Sequence, residues 1–378
     1  MADRESEILA EIAPSVGAIG AAEWDLLHGG DPFVSHAFLS ALEESGSVGP
    51  GTGWSPAPIQ VREEGRLVAA APAYLKSHSQ GEYVFDHGWA DAWQRAGGQY
   101  YPKLLVAVPF TPVPGRRLLG HRPQELLAAL EAVTVQGEMS SAHVNFIEDR
   151  EVAEFGARGW LIREGVQYHW FNRGYASFDD FLGALSSRKR KTVRRERSGA
   201  CEGLEISALR GSAIGPGEWD AMWAFYQDTG SRKWGHPYLT RAFFDRIAAT
   251  MADSLLLFIA RRDGALVAGA LNVIGKDALY GRYWGCVEEV PFLHFELSYY
   301  RAIEWAIDHG LKSVQAGAQG EHKIARGYEP VITRSAHFIP NPSFRSAIAD
   351  FLERERAAVQ SEIDWLAEAL PYRSSDSV

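Results

Sequence analysis

The sequence predicts a mixed α/β protein built from two copies of one unit, and three observations support this fold class. Residues 62–71 (REEGRLVAAA) and 261–270 (RRDGALVAGA) are identical at six of ten positions, with a constant offset of 199 residues. Each segment has a Glu-Gly or Asp-Gly turn between two apolar runs, which is typical of a β-hairpin. Each hairpin also follows two helical patterns and precedes the same series of elements, and 378 residues suffice for two such units.

The elements are justified in chain order by apolar periodicity and by turn residues. In the first unit we expect helices at 21–28 and 36–45, the hairpin, a strand at 82–85, a helix at 123–135, a strand at 142–147, a short helix at 149–157 and a closing strand at 160–170. In the second unit we expect helices at 218–228 and 240–251, the hairpin, a strand at 278–284, a helix at 294–309, a strand at 313–318, a short helix at 320–326 and a closing strand at 333–339. Both closing strands contain a histidine between apolar or aromatic residues, in YHWF and AHFI.

The two units differ in length between the hairpin and the closing strand. Leu67 and His169 are 102 positions apart, whereas Leu266 and His337 are 71 apart. The first unit, residues 1–172, is therefore predicted to carry an insertion of 31 residues near 86–120. The second unit, residues 173–378, is predicted to end in a helix at 342–370, where apolar residues recur at helical spacing.

Composition excludes several classes of protein. The net charge of -10 argues against a protein that is basic all over, although a local basic surface remains compatible with it. No apolar stretch approaches the length of a membrane span, and the first 15 residues lack the apolar region of a secretory signal. We therefore expect a cytoplasmic protein. Neither cysteine lies in a CxxC pair, so no metal site is predicted. Nothing in the pattern specifies an oligomeric state.

The order of elements, with the hairpin DGALVAGA, resembles the GNAT acyltransferase fold, and the doubling resembles the Fem-like transferases. More narrowly, the chain resembles the bacterial FemAB-like group labelled peptidoglycan biosynthesis, in YYPKLLVAVPFTPVPGRRLL, SSRKRKTVRRER, FLHFELSYYRAIEWAI and AGAQGEHKIARGYEP. The resemblance implies two tandem GNAT-like lobes, each a mixed, mostly antiparallel sheet flanked by helices, plus the C-terminal helix. It also implies an N-acyltransferase that moves an aminoacyl or acyl group from an activated ester to a substrate amine. No bound cofactor is expected. Aminoacyl-tRNA is the preferred donor, and an acyl-coenzyme A thioester is the alternative.

One departure from the GNAT pattern bears on the donor. GNAT enzymes usually hold the pyrophosphate of coenzyme A on a glycine-rich turn before a helix. The corresponding segment here, CVEEVPFLHFEL, has no glycine and contains Glu288 and Glu289. The first unit offers a better anion site at the matching place, because Arg116 and Arg117 precede a helix there.

A basic segment at 186–198 is predicted to be helical, with Ser186 or Ser187 as its cap. It contains seven cations and one acid, Glu196, and it is interpreted as a phosphate track for tRNA. The alternative is a solvated linker helix. The seven predicted phosphate-binding residues are Arg188, Lys189, Arg190, Lys191, Arg194, Arg195 and Arg197.

Three residues are predicted to be catalytic. Glu296 and Tyr300 are i,i+4 neighbours on the expected helix, so Glu296, or His294 near it, would deprotonate the attacking amine. In the alternative interpretation Glu296 is an ordinary first-turn acid and Tyr300 belongs to the core. Lys323 stands where GNAT enzymes commonly have a general-acid tyrosine, four residues before the glycine of Gly327-Tyr328. Its charge would stabilise the oxyanion of a tetrahedral intermediate.

The other predicted site residues bind substrate. Arg326 is i,i+3 from Lys323 and shares its face. An aromatic, charged cluster in the insertion is interpreted as a lid over the acceptor amine, or alternatively as a satellite core. The predicted substrate-binding residues are Gln319, His322, Arg326, Tyr300, Asp86, His87, Trp89, Tyr101, Lys103 and Trp234. Because the general-acid tyrosine is missing, a non-catalytic module that recognises nucleic acid or a cell-wall precursor remains a second alternative.

Overall fold

The protein forms two compact units, each made of two separate stretches of chain. A computed structural model describes residues 7–234, 237–317 and 320–373, apart from the side chains of 231–234. The first unit comprises Met1–Gly165 and Ile332–Gln360, and the second comprises Val166–Val331 and Ser361–Val378. These limits differ from the predicted division at 172/173, because each closing strand passes from one unit into the other.

The first unit contains two sheets. Its strands are β1 (Ile8–Ile12), β2 (Trp54–Pro56), β3 (Ile59–Glu63), β4 (Arg66–Ala71), β5 (Ala73–Lys76), β6 (Lys103–Val106), β7 (Leu119–Gly120) and β8 (Ala142–Ile147). Its helices are α1 (Ala21–Asp25), α2 (His36–Glu44), α3 (His87–Arg95), α4 (Pro123–Gln136) and α5 (Val152–Ala157). One sheet has the order β1-β3-β4-β7, and in the other β2, β5, β6 and β8 are neighbours in that order. Only β6 and β8 are parallel among these pairs.

In the described residues of the second unit, six strands follow one another in the order β10-β11-β12-β13-β14-β9. The strands are the end of β9 (Leu161–Phe171), β10 (Glu205–Arg210), β11 (Leu255–Arg262), β12 (Ala265–Ile274), β13 (Ala278–Cys286) and β14 (Ser313–Gln315). The helices are α6 (Phe178–Ala184), α7 (Ser187–Ala200), α8 (Pro216–Trp234), α9 (Arg241–Thr250), α10 (Leu293–Phe295) and α11 (Arg301–Asp308). A π-helical turn at Glu296–Tyr300 joins α10 to α11, and a 3-10 helical segment covers Glu321–Arg326. Among the strand pairs described for this unit, β13 and β14 are parallel and the others are antiparallel.

The two units repeat one topology, which confirms the predicted fold class. In each, an antiparallel hairpin precedes a parallel strand pair, and a closing strand then adds antiparallel to the second strand of that pair. The predicted turns are confirmed, with positive φ at Glu64, Gly65, Asp263 and Gly264. Two consecutive positive φ angles match the twist of the strands in a tight hairpin.

The closing strands are exchanged relative to the prediction. The C-terminal end of β9 pairs with β14 in the second unit, with His169 opposite Gln315. In the first unit the end of β15 (Glu329–Phe338) pairs with β8, with His337 opposite His143. Sequence spacing located both strands, but strand pairing is a long-range choice that the spacing did not encode.

Two predicted elements differ in detail. Residues 82–85 are a loop, and the strand parallel to β8 is β6, inside the predicted insertion. The helix expected at 294–309 is interrupted by the π-helical turn. The basic helix and the C-terminal helix, α12 (Pro342–Glu368), form as predicted. None of the helices in the described part of the chain is long and apolar enough to cross a membrane.

Candidate functional site

The parallel strands of the second unit diverge, and this creates room beside the sheet. β13 pairs with β14 only through Ala278–Tyr280, and it then continues beside β12 as far as Cys286. The chain that follows β13 leads into α10, and the chain that follows β14 leads into the Glu321–Arg326 segment. These two segments therefore border the opening between the strands, and both contain predicted site residues.

A cavity of about 510 Å³ lies where β13 ends and α10 begins. It is lined by Thr229, Trp284, Cys286, Glu288, Glu289, Val290, Pro291, Phe292, Leu293, His294 and Phe295. Among the described residues, its wall includes the rings of Trp284, Phe292 and Phe295 and the carboxylates of Glu288 and Glu289, but no lysine or arginine. His294 is thus placed at a surface that a ligand can touch, as its predicted role requires.

The entry to the helix beside the cavity is conformationally unusual. Phe292 has φ 67°, in the left-handed region that a bulky residue seldom adopts, and such a residue costs on the order of 1–3 kcal/mol. Four residues later a π-helical turn begins at Glu296, and it inserts an extra residue into the helix. The last two residues of this turn are tyrosines with different partners. The Tyr299 hydroxyl lies 2.9 Å from His322 Nε2, whereas the Tyr300 hydroxyl donates to the Glu196 carboxylate.

Glu296 is used structurally rather than being placed as a base. Its side chain is fully buried, and its carboxylate lies 3.0 Å from Arg197 Nη2 and 2.7 Å from Arg301 Nε. Arg197 also binds Glu304 at 2.9 Å. Two guanidinium groups therefore hold this carboxylate, which agrees with the alternative interpretation of Glu296. Arg197, which was predicted to bind phosphate, is therefore also engaged in a structural contact, because it pairs with both Glu296 and Glu304.

The basic helix α7 has one buried face and one charged face. Val193, Glu196 and Ala200 are buried, at i, i+3 and i+7. The Glu196 carboxylate accepts two 2.9 Å hydrogen bonds from Arg326 Nη2 as well as the bond from Tyr300. Helix α7 is therefore fixed to the Glu321–Arg326 segment by a buried ion pair, and Arg326 has a structural partner.

Most cations of α7 remain available. Among the described residues, Arg194 pairs with Asp179 at 3.2 Å. Five others have no ion-pair partner in the described part of the chain: Arg188, Lys189, Arg190, Lys191 and Arg195. Arg188, Lys191 and Arg195 are exposed at i, i+3 and i+7, so they form one charged face, which we call the α7 cationic face.

Lys323 is a buried lysine without a carboxylate partner among the described residues. Its side chain is 1% exposed, and its Nζ donates a 2.7 Å hydrogen bond to the carbonyl oxygen of Gly317, just beyond β14. Burial lowers the pKa of Lys323 to about 7, because the ammonium form is poorly solvated there. The sequence singled out this residue for its charge, whereas the structure gives it an amine that is largely neutral just above pH 7.

The remaining residues of this segment are placed as follows. His322 is exposed, and its ring lies 5.7 Å from that of Phe295, which lines the cavity. The Arg326 guanidinium lies 3.4 Å above the ring of Phe295. The predicted residues Gln319 and the Trp234 side chain lie outside the described part of the chain.

The predicted cluster of the first unit forms a buried ionic network. Lys103 lies 2.8 Å from Glu82 and also binds Asp86, and Tyr100 donates a 2.7 Å hydrogen bond to Asp86. Burial opposes both charges, but the two carboxylates raise the pKa of Lys103, and Lys103 with His143 lowers the pKa of Asp86. The network is therefore internally compensated.

The aromatic residues around this network pack as the alternative interpretation proposed. Trp89 and Tyr100 belong to a small core with Phe344 and Ile348 of α12, and Tyr101 packs against it. The Tyr101 hydroxyl lies 2.8 Å from Ser79 Oγ, whereas His87 is exposed on α3. These contacts describe a satellite core, and they give no support to a lid.

Sequence reasoning missed a histidine pair in the same unit. His143 Nδ1 and His337 Nδ1 are 2.7 Å apart, and both side chains are buried. Burial lowers the pKa of His143 to about 3, so the pair is neutral near pH 7. The histidines flanked by apolar residues in HVNFI and AHFI were the available signal, but only the strand exchange brings them together.

The proposed anion site of the first unit is not realised. Arg117 is 1% exposed, and its guanidinium donates to the carbonyl oxygens of Asn145 (2.9 Å) and Val113 (2.6 Å). Arg116 donates to the carbonyl oxygen of Gly120. These guanidinium groups stabilise the loop before α4 by satisfying its backbone acceptors.

The repeated topology, with diverging parallel strands in the second unit, defines a tandem GNAT-like protein. The model of the FemAB-like family, described as peptidoglycan biosynthesis/recognition, matches residues 15–374, and the chain belongs to that family. Family and fold thus agree on a tandem GNAT-like architecture. No curated protein sequence matches the chain.

Solved structures that are similar to this chain share little of its sequence. The crystal structure of FemX is 13% identical, covers 91% of this chain and 100% of its own, and has a TM-score of 0.55. A conserved protein of unknown function from Bacteroides thetaiotaomicron is 11% identical, covers 87% and 99%, and has a TM-score of 0.51. A tandem GNAT protein from the clavulanic acid biosynthesis pathway is 14% identical, covers 89% and 99%, and has a TM-score of 0.45. At these identities the likeness concerns the fold.

Proposed function

We propose that this protein transfers an aminoacyl group from aminoacyl-tRNA to a substrate amine, with the second unit as the catalytic unit. One observation carries the choice of donor: the α7 cationic face is exposed, unpaired among the described residues, and fixed by Glu196 and Arg326 to the segment that contains Lys323. A tRNA whose phosphate backbone docks on α7 would be held close to the candidate catalytic segment. Because the donor is a cytoplasmic molecule, we propose the cytoplasm as the place of action.

The chemistry requires a proton acceptor. The neutral amine attacks the ester carbonyl, and a tetrahedral intermediate forms. The nitrogen then loses a proton, the bond to the ester oxygen breaks, and that oxygen leaves with a proton as the free hydroxyl of the tRNA. One base that takes the proton and returns it to the leaving oxygen balances the reaction.

Lys323 is proposed as this base, and His294 as the group that contacts the substrate in the cavity. A base works best when its pKa is close to the operating pH, and the pKa of Lys323 is lowered to about 7 by burial. Glu296 is not proposed, because two arginines hold its carboxylate. Since an activated ester is already reactive, positioning supplies much of the remaining rate.

Coenzyme A is a weaker candidate donor for a physical reason. The helix entry that would face its pyrophosphate carries Glu288 and Glu289 and has Phe292 where a glycine would allow close approach. Carboxylates repel a pyrophosphate, and the described residues that line the cavity include no lysine or arginine.

The test is a transfer assay with matched donors. The purified chain is incubated with labelled leucyl-tRNA or labelled acetyl-coenzyme A and a panel of primary amines, with and without ribonuclease. We expect ribonuclease-sensitive transfer from leucyl-tRNA. Transfer from the thioester alone would replace tRNA by coenzyme A, and specific tRNA binding without transfer from either donor would favour a binding module.

The α7 cationic face provides the variant that tests docking. The triple substitution Arg188→Ala, Lys191→Ala and Arg195→Ala should weaken tRNA binding and reduce the slope of log K against log salt by about 2–3, at about 0.7–0.9 per phosphate contact. Arg194→Ala is the matched control, because that residue already pairs with Asp179. An unchanged salt slope in the triple variant would refute the docking surface.

A further inference from the structure

Phe292 is a strained residue whose aromatic ring is partly open to solvent. Its φ is 67°, and its side chain is 38% exposed. Residues held in such sparsely populated conformations cluster at functional sites. A partly exposed ring also gains only part of the burial that stabilises a core residue. Phe292 is therefore a candidate contact for a ligand, and the proposed mechanism gives its ring no role.

The ring of Phe292 lies at one end of the α7 cationic face. A Cβ at Gly199 would be 3.6 Å from Phe292 Cδ2, so this part of α7 lies against the ring. Gly199 follows Arg195 at i+4 and therefore shares its side of the helix. At 1.5 Å per residue, the distance along α7 from Arg188 to Gly199 is about 16 Å. One side of α7 thus presents exposed cations and, at its end, an aromatic ring.

The two ends of this surface suit different chemical groups. The N-terminal end of a helix carries a partial positive charge, which adds to the cations there, and the C-terminal end carries a partial negative charge. Phosphates are therefore favoured near Arg188, and an uncharged group is favoured near Phe292. Nucleic-acid bases are uncharged and stack on aromatic side chains, and proteins that bind single strands combine such side chains with a positively charged groove. A base inside a duplex is covered on both faces, so the contact requires an unpaired end.

We propose that Phe292 stacks on the unpaired terminal base of an RNA strand whose phosphates lie on the α7 cationic face. The inference rests on the proposed function for the identity of the RNA, and it specifies which part of the donor this surface recognises. The terminal nucleoside of an aminoacyl-tRNA carries the acyl ester on its ribose, so it has no phosphate on that side to meet Glu288 or Glu289. Coenzyme A differs, because its pyrophosphate would lie at the helix entry itself.

Fluorescence anisotropy measures this contact without requiring turnover. The probes are a labelled single-stranded RNA octamer that ends in adenosine and the same octamer without the base of its last nucleotide. The two probes carry the same phosphates, so they differ only in the group that Phe292 would contact. We expect the complete octamer to bind about tenfold more tightly, which is the effect of one base stacked on an aromatic side chain. This comparison uses the unaltered protein and does not depend on any variant folding.

Variants locate the effect at the ring. Phe292→Leu should weaken binding of the complete octamer about tenfold and leave the octamer without its last base unchanged. It should also leave the slope of log K against log salt unchanged, because stacking neutralises no phosphate. Phe292→Trp keeps an aromatic ring and should retain tight binding. Phe351→Leu removes an aromatic side chain of α12 with the same 38% exposure, so it is the matched control and should change nothing.

Two results would overturn the proposal: equal binding of the two octamers, or a Phe292→Leu variant that binds the complete octamer as tightly as the unaltered protein does. The proposed function fails separately. Base-dependent binding at Phe292 without any transfer from leucyl-tRNA would reject the transferase and keep the RNA contact. Ribonuclease-sensitive leucyl transfer that Phe292→Leu leaves unchanged would keep the transferase and reject the contact.

Discussion

Lys103 of the first unit and Lys323 of the second are both buried, but their electrostatic surroundings are opposite. In the first unit Lys103 is surrounded by Glu82 and Asp86, so its charge is compensated and its pKa is raised. In the second unit Lys323 donates a hydrogen bond to the carbonyl oxygen of Gly317 and has no carboxylate partner among the described residues, and burial lowers its pKa to about 7. A compensated lysine holds a fold together, whereas an uncompensated one titrates near neutral pH and suits proton transfer.

Replacing Lys103, whose charge is compensated, should have the largest effect, and that effect should be on the free energy of unfolding. Lys103→Met leaves Asp86 and Glu82 buried without their cation, and removing one partner of a buried ion pair costs about 3–5 kcal/mol of unfolding free energy. Urea denaturation followed by circular dichroism measures this loss. Arg150→Met, which disrupts only the exposed pair with Glu148, is the control and should cost less than about 1 kcal/mol. Similar losses in both variants would mean that the network is not structurally important.

Replacing the uncompensated lysine should act on the rate instead. Lys323→Met removes no ion pair known among the described residues, so stability should hold or rise, while leucyl transfer should fall about 100-fold, a typical contribution of general base catalysis. Initial rates at saturating leucyl-tRNA measure the effect, with exposed Lys312→Met as the control. A stable variant with full activity would remove Lys323 from the mechanism.

The pH dependence of the transfer rate distinguishes two roles of Lys323, a neutral general base and a cation that stabilises the oxyanion. With the pKa of Lys323 lowered to about 7, the neutral form is lost as the pH falls, so the rate should decrease about tenfold per pH unit below 7. A rate that instead increases below pH 7 would assign Lys323 to stabilisation of the oxyanion.

The free energy of unfolding should also depend on pH through the titration of Lys323. The folded pKa of Lys323 lies below the ordinary value of 10.5, so between pH 7 and 10.5 the unfolded chain binds the extra proton. The cost of burying this residue is therefore full below pH 7 and is relieved as the pH rises towards 10.5. Urea midpoints at pH 7 and 9 should show this gain in the unaltered protein and lose this contribution in Lys323→Met.

The smallest effect is expected at the compensated pair of the second unit. Tyr300→Phe removes one hydrogen bond to Glu196 but leaves the two bonds from Arg326, so it should cost about 1–2 kcal/mol with little change in rate. Tyr175→Phe is the control, since no described residue accepts a hydrogen bond from that hydroxyl. A large loss of rate would show that the fixation of α7 controls catalysis.

Local sequence patterns predicted much of the fold, but they did not predict the pairing of strands that are distant in the sequence. The Asp263-Gly264 hairpin and the α7 helix depend on residues a few positions apart, and both form as predicted. The exchange of β9 and β15 depends on pairing across more than 100 positions. The π-helical turn at Glu296–Tyr300 was not predicted, because the apolar spacing of this segment fits an ordinary α-helix.

The candidate site shows the same difference between what local sequence patterns predict and what long-range contacts decide. Lys323 and His294 could be predicted as site residues from the sequence because their positions match the pattern of the resembled family, and their roles stay predictions. The roles of Glu196 and Glu296 were not, because a carboxylate in a sequence does not reveal which arginine will neutralise it. The buried pairs Glu196–Arg326 and Glu296–Arg197 turned one predicted catalytic group and two predicted ligands into structural contacts.

By itself the sequence determined the duplicated α/β design, the hairpins, the basic helix and the absence of a glycine-rich turn before α10, because each is written in neighbouring residues. Only the tertiary structure decided which charges are compensated and which remain available. The reason is that the pKa and pairing of a charged group depend on burial and on partners distant in the chain, as the contrast between Lys103 and Lys323 shows.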